Sequence, residues 1–547
     1  GGVRCSEKLV VHEDALLYRL RAVGAGVKLR VVGNLRAFGW FLEDRYVEIG
    51  DMARVVFKKA CSRGLRALYG DFYEMCLTSS KPLDFEFGRA EARYCGTITL
   101  ERGETFDLAV IGAPRGRLAH CAASESLEDE KRGHVRKLLE ALDERGVDPR
   151  YRLLWRYMWY VILSNRAFVE NHPVLRRPFN MPSKLVFRHQ WLWDSAFHAI
   201  VLSSYDVSMA EDELYNLYEA QKEDGRIPHE VFLSKEFCKL FWKVDDYSPW
   251  TTQPPVIAIA VELIARRGGS TGFLKKSFEA LDKYDRWFRE CRDADRDQLM
   301  SYIDYLESGW DDSVRWDHAI SRFKEDPRTY RERYCEARMA PVEAVDLNVY
   351  VYLQRRVLAK LARRLGLKRE AEEYEELASE TGDGIRRQMW DEETGFFYDI
   401  WEDTHEPIKV KTPAAFTTLY AGLASRRQAG RLVEHLLNPD EFWTTFPLPT
   451  VSADDPNYDP EGYWRGRSWL NMIWFTYWGL RRYGFNEEAR RLAERVLDFM
   501  ARGPTCNENY SSRTGAPLGA PDFGWSTLMI SVIEDLSQKR GEPYTAV

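Results

Sequence analysis

Near Ser124 the hydrophobic periodicity of this chain changes from two residues to about 3.6, and it does not change back. Before that point, segments such as Val27–Val32 and Gly96–Leu100 alternate apolar with polar side chains between glycine-containing and charged turns. Alternation of this kind belongs to half-buried strands, so residues 8–115 read as an antiparallel β-sandwich-like unit with one helical insertion over Met52–Tyr69. Gly112–Gly116 reads as a linker, which divides the chain into an N-terminal β-rich domain, 1–118, and a mainly α domain, 119–547. Beyond the change, thirteen helical segments are expected between His134 and Glu534, the first being His134–Arg145 and one of the last Gly462–Tyr483. Several form close pairs, such as Leu347–Leu365 with Arg369–Met389 across Gly366, and Trp469–Tyr483 with Glu487–Met500 across Gly484. About six such antiparallel pairs can close into an (α/α)6 barrel; an open helical array is the alternative.

Composition removes several classes of function. Lys and Arg number 78 against 85 Asp and Glu, a net charge of −7, so no basic field points to nucleic acid or an anionic membrane. The longest apolar stretch, Val256–Ala265, is broken by Glu262 and is too short to cross a bilayer. Gly1–Asp14 carries charges and lacks the apolar core of a secretory signal, which makes the cytoplasm the expected compartment. Nine cysteines without a C-x-x-C pair suggest neither a disulfide framework nor a zinc site. Asp293, Asp295, Asp297 and Asp304 fall at positions 1, 3, 5 and 12 of a calcium loop, but Gln298 stands where that loop needs glycine and Asp304 replaces its bidentate glutamate. The segment reads as a polar turn, with calcium the lesser reading. No phosphate-cradling glycine loop is present. The expected ligand is neutral or small, with no cofactor and no metal.

Four loops between helices concentrate the unusual chemistry. Of 18 tryptophans, twelve lie in or beside polar clusters. An indole face suits the C–H face of a sugar, and adjacent carboxylates suit its hydroxyls. In Phe187–His198, Asp194 is placed either to cap a helix or to bind substrate, whereas His189 and His198 read as structural. In Glu307–Trp316, Asp311 follows Gly309 and Trp310; a carboxyl against indole in a drying pocket has its ionised form disfavoured and becomes a proton donor near neutrality. A solvated acidic turn is the plainer reading of that segment. In Tyr463–Asn471, Arg465 suits a carboxylate, either a catalytic base that it orients or an anionic group of the substrate, and equally a structural ion pair. In Asn507–Gly515, Glu508 is the only carboxylate between Asp498 and Asp522.

Trp191-Leu192-Trp193-Asp194, Thr252-Gln253-Pro254-Pro255, Glu307-Ser308-Gly309-Trp310-Asp311, Tyr463-Trp464-Arg465-Gly466 with Trp469, and Glu508 ahead of Phe523-Gly524-Trp525 occur in this order. Together they resemble glycoside hydrolase family 63, which is related to the trehalases, over residues 150 to 540. The resemblance implies an (α/α)6 barrel and inverting hydrolysis of an α-glycosidic bond. It places the catalytic acid on Asp311 and the base on Glu508, with sugar-binding positions at Trp191, Trp193, Asp194, Gln253, Gly309, Trp310, Trp464, Arg465 and Trp469. Three positions depart from the family pattern: Arg467 in place of proline, Asp312 as a second acid, and Asn509 in place of tyrosine. Substrates within the resemblance are α-glucosides or α-mannosides, either oligosaccharides or small glycosylglycerates, and trehalose. A glycerate aglycone needs a cation, for which Arg188, Arg226, Arg315 and Arg467 are candidates. A non-catalytic sugar-binding protein and a glucoamylase- or debranching-type enzyme are the competing readings.

Overall fold

The structure, a computed structural model, describes residues 5–114 apart from short stretches, scattered positions from 133 to 142, and 142–538 apart from residues 170 and 185. It divides into two units, Gly1–Leu142 and Asp143–Val547. The boundary expected near residue 118 lies outside the described residues, as do residues 134, 135, 138, 139 and 141 of the expected helix His134–Arg145; the described end of that segment, residues 142–145, is not helical.

The first unit is built of strands. Six of them order as Cys5–His12, Ala15–Ala22, Thr105–Pro114, Tyr73–Ser79, Gly64–Tyr69 and Val55–Cys61, all antiparallel. A second sheet orders as Val27–Arg36, Glu91–Leu100 and Asp84–Phe87. Leu20, Ala22 and Phe106 from the first sheet pack with Ile98 and Leu100 from the second, so the apolar halves of the alternating strands meet in one core. The helix expected over Met52–Tyr69 is corrected: its described part, Val55–Tyr69, is a pair of antiparallel strands. Leu65 and Ala67 are buried while Arg66 and Leu68 are less so, a period of two that overrides the weak helical spacing. Cys76 in this unit is disulfide-bonded, a pairing that the spacing of the cysteines did not signal; Cys95, Cys238, Cys291, Cys335 and Cys506 are free.

The second unit is helix-rich, and two kinds of helix sort by hydrophobicity. Leu192–Leu202 is buried at every residue, and Ile257–Arg266 and Leu470–Tyr483 over most of their length, as expected of helices that are apolar on all sides. Val207–Glu219, Thr271–Cys291, Lys368–Gln388 and Asn486–Ala501 bury one stripe only; the first lies against Leu192–Leu202, the last against Leu470–Tyr483, and the other two against Val345–Leu365. Leu192–Leu202 packs on Ile257–Arg266, which packs on Val345–Leu365, then Thr417–Ala421, then Leu470–Tyr483. Leu470–Tyr483 packs on the short 3-10 segment Gly524–Leu528, and this packs on Leu192–Leu202. The helix expected from Gly462 begins at Leu470 instead, because Ser468–Trp469 pairs as a strand with Asn509–Tyr510. Among the described residues no helix is long and apolar enough to cross a membrane.

Candidate active site

Local hydrogen bonding shapes the loop that carries Asp311. Asp304 accepts the Leu306 N–H at 3.0 Å and opens the 3-10 turn Tyr305–Ser308, which Gly309 closes at φ +70°. Glycine is required there on two counts: the conformation is left-handed, and a Cβ would lie 2.5 Å from the Trp193 ring. Ser308 Oγ accepts the Trp310 N–H at 3.0 Å, and Trp316 Nε1 donates to the Trp310 carbonyl at 3.0 Å. Arg315 is buried with its guanidinium 4.9 Å from the Trp310 ring and 4.4 Å from that of Trp316, and it pairs with Asp346 at 2.9 Å and Asp399 at 2.7 Å. The loop is thus pinned on both sides of Asp311.

Glu508 lies 197 positions further along the chain, just ahead of the strand Asn509–Tyr510 that pairs with Ser468–Trp469 and Pro517–Leu518. Its N–H donates to the Ala520 carbonyl at 2.9 Å, and the Ala520 N–H donates to its Oε2 at 2.9 Å. The Tyr463 hydroxyl donates to Oε1. A Cβ on Gly519, which has φ +66°, would come 2.5 Å from Oε2, so glycine lets the loop close over this carboxyl.

Asp311 and Glu508 line one pocket together with Asp194, Trp191, Trp193, Gln253, Gly309, Trp464 and Trp469. Trp464 and Trp469 stack at 3.7 Å with an 11° interplanar angle. Trp310 does not line the pocket; it is fully buried and stacks on Trp464 at 4.8 Å. Asp194 does not cap its helix. Trp191 holds the cap position, and Asp194 sits in the first turn, buried, with an Oδ1 that has no hydrogen-bond partner within the protein. Trp191 Nε1 is likewise unpartnered, so an acceptor and a donor remain available on the pocket wall. Gln253 is tied on both sides: Oε1 accepts the Trp193 N–H at 3.2 Å and Nε2 meets His229 Nε2 at 3.0 Å.

Arg465 is placed elsewhere. It forms a two-pronged pair with Asp317 at 2.8 and 3.0 Å, donates to the Asp312 carbonyl, and lines a neighbouring cavity. Asp312 accepts the Trp464 N–H at 2.8 Å, a bond that ties the Asp311 loop to the tryptophan stack. His189 and His198 are buried, the first accepting the Leu233 N–H and the second 3.4 Å from Glu213. Tyr463, His229 and Trp525 also line the pocket. Tyr463 and Trp525 stand inside the motifs, but their partners lie too far along the chain for local spacing to identify them.

The electrostatics follow from enclosure. Burial, reinforced by the charges of Asp312, Glu508 and Asp304, pushes Asp311 up to about 7. Asp311 keeps some accessible surface, yet its carboxyl is enclosed by protein. Burial pushes Glu508 up to about 7 as well, opposed by the Tyr463 and Ala520 hydrogen bonds and the Arg467 charge. Asp194 lies well above its ordinary range because of burial and the Glu508 charge. Two enclosed carboxyls that both titrate near neutrality can divide the roles of proton donor and proton acceptor.

Of the candidate cations for a glycerate group, Arg315 is consumed by its two aspartates. Arg188 donates to the Lys184 carbonyl, and Arg226 lies by Asp224 and Trp287. Arg467 donates to Asn509 Oδ1 at 3.1 Å and its charge reaches Glu508. Among the described residues no lysine or arginine lines the pocket itself.

The mannosylglycerate hydrolase MGH1-like glycoside hydrolase domain matches residues 188–526. Mannosylglycerate hydrolase of Thermus thermophilus is 30% identical over 404 residues, 65% of this chain and 96% of that protein. Glucosylglycerate hydrolase of Mycolicibacterium hassiacum is 27% identical over 420 residues, 63% of this chain and 92% of that protein. The crystal structure of a family 63 mannosylglycerate hydrolase from Thermus thermophilus in complex with Tris and D-glycerate gives a TM-score of 0.60 at 27% identity, covering 71% of this chain and 100% of that one. Because the matching domain spans more than half of the chain and contains all three carboxyls of the pocket, Asp194, Asp311 and Glu508, this protein belongs to the MGH1-like glycoside hydrolases of family 63.

Proposed function

We propose that the protein hydrolyses the α-glycosidic bond of a small glycosylglycerate-type substrate with inversion, Asp311 serving as general acid and Glu508 as general base. The observation that carries this reading is the meeting of those two carboxyls, so distant in sequence, in one aromatic pocket whose enclosure pushes each up to about 7. A closed (α/α)6 ring accounts for the meeting, and the succession of buried helices supports it. In the proposed step Asp311 protonates the glycosidic oxygen while Glu508 takes a proton from water on the opposite face of the sugar. Inversion of this kind wants carboxyls roughly 6.5–9.5 Å apart, room enough for that water. Trp464 and Trp469 offer an apolar wall to the ring, and Asp194 and Trp191 Nε1 offer an acceptor and a donor to its hydroxyls.

The glycerate class is supported by the names of the relatives and by Arg467 beside the base. The lack of a cation on the described pocket wall favours a second reading, a neutral α-glucoside. A panel of mannosylglycerate, glucosylglycerate, trehalose and a soluble α-glucan separates them. The expected result is a kcat/KM for one glycosylglycerate at least about 100-fold above trehalose and glucan, the scale on which a site that pairs a charged group rejects its absence. A preference for trehalose or glucan would replace this reading, and binding without turnover across the panel would remove the enzymatic one.

A further inference from the structure

Away from the pocket, Asp295, Asp297, Glu343 and His405 each present one ligand atom, and these atoms all lie within 4.8 Å of one another. We propose that this cluster binds one calcium ion, which joins the turn at Asp293–Gln298 to the strand residue Glu343.

An acidic cluster alone would not carry this, but Glu343 does. Its side chain is 0% exposed, and neither carboxylate oxygen has a hydrogen-bond partner within the protein. A buried carboxyl with both oxygens unmatched is a costly arrangement unless a cation completes it. The charge around it makes the need greater: Asp293, Asp295, Asp297 and Glu402 all bear on Glu343. The nearby arginines are otherwise engaged, Arg355 with Asp285 at 3.1 Å and Arg333 with Glu402 at 3.1 Å. Asp293 is also buried, and its Oδ1 is unpartnered.

The backbone removes the objection that the sequence raised. Gln298 occupies the glycine position of the calcium loop, and it adopts φ +72°, the left-handed conformation for which that loop recruits glycine. Asp304, the expected twelfth-position ligand, is not in the cluster; it accepts the Leu306 N–H and faces Arg338 at 3.5 Å. Glu343 takes its place from another strand, because the pairing of Ser301–Tyr302 with Val342–Glu343 sets Ser301 opposite Glu343. The ligand atoms are thus three carboxylates from a D-x-D-x-D turn and its neighbouring strand, with one imidazole at the exposed edge, 3.0 Å from Asp295. An oxygen-dominated set with this spacing suits calcium better than zinc, which favours nitrogen and sulfur.

Calorimetric titration and thermal unfolding of the full chain, stripped with chelator and dialysed, test the site with Ca²⁺, Mg²⁺, Mn²⁺ and Zn²⁺. The expected result is one Ca²⁺ per chain with a Kd below about 1 mM, and an unfolding temperature that rises with free Ca²⁺ as binding to the native state requires. Glu343→Gln, whose buried amide no longer adds charge to the cluster, should fold with native circular dichroism, bind Ca²⁺ at least about tenfold more weakly, and lose the thermal response. His405→Gln should keep both. No binding at millimolar Ca²⁺, unchanged binding in Glu343→Gln, or a preference for Zn²⁺ or Mn²⁺ that His405→Gln abolishes would each overturn the proposal.

Discussion

Replacing Asp311 by asparagine is expected to lower kcat/KM by roughly 10²–10⁴-fold, the usual worth of a positioned proton donor, with circular dichroism and unfolding temperature close to those of the unaltered protein. The fold should tolerate the change because Asn is nearly isosteric and removes a charge that burial already disfavours. Glu508→Gln should cost activity on the same scale, although an amide at this position disturbs the paired bonds from Tyr463 and Ala520. Asp312 supplies the contrast. It is exposed and bonded to the Trp464 N–H, so Asp312→Asn should keep kcat within about tenfold at the optimum, far short of the loss of a proton donor.

The same variant tests the assignment through pH. The proposed mechanism needs Asp311 protonated and Glu508 ionised, so activity is expected to fall on the acid side as Glu508 gains a proton, and on the alkaline side as Asp311 loses one. The Asp312 charge helps to raise Asp311, so its removal lets Asp311 ionise earlier and moves the alkaline limb to lower pH. A dead Asp312→Asn enzyme beside an active Asp311→Asn enzyme would transfer the donor role to Asp312.

The second large effect is on stability. Gly309→Ala should destabilise the chain by about 2–5 kcal/mol, combining a left-handed alanine at about 1–2 kcal/mol with overpacking against Trp193 at about 1–3 kcal/mol. The Cβ would sit 2.5 Å from the Trp193 ring, where the neighbour is a buried indole with no room to swing aside. Since Gly309 ends the turn that delivers Asp311, activity should fall with stability, even under conditions in which the variant remains folded. Gly272→Ala is the control: it has open space around it within the helix Thr271–Cys291, so the change should be neutral or stabilising by up to about 1 kcal/mol. Denaturant unfolding of both variants reads the difference directly.

Much of the site was legible because its chemistry is local. Gly309-Trp310-Asp311 and Tyr463-Trp464 are contiguous in sequence and are held by short-range bonds, Trp310 N–H to Ser308 Oγ and Trp469 Nε1 to the Tyr463 carbonyl. Glu508 stood out through the lack of other acids nearby. What sequence could not supply were partners fixed by distant chain. Arg465 is adjacent to a pocket residue but spent on Asp317, 148 positions away, and Gln253 is held by Trp193 and His229. Glu343 joins the Asp295 cluster only through strand register, which no spacing rule along the chain anticipates. The misread helix at Met52–Tyr69 has a local cause: Val55, Val56 and Phe57 favour strands, and the chain turns back at Gly64 to pair Val55 with Tyr69.

The face on which water attacks relative to the protonated oxygen decides the mechanism, and the stereochemistry of the first product reports it. Proton NMR during the first minutes of hydrolysis of an α-glycoside should show the released sugar appearing as the β-anomer, with the α-anomer growing in later by mutarotation. The α-anomer appearing first would mean that one carboxylate attacks the sugar itself, and would contradict the assignment of Asp311 as acid and Glu508 as base.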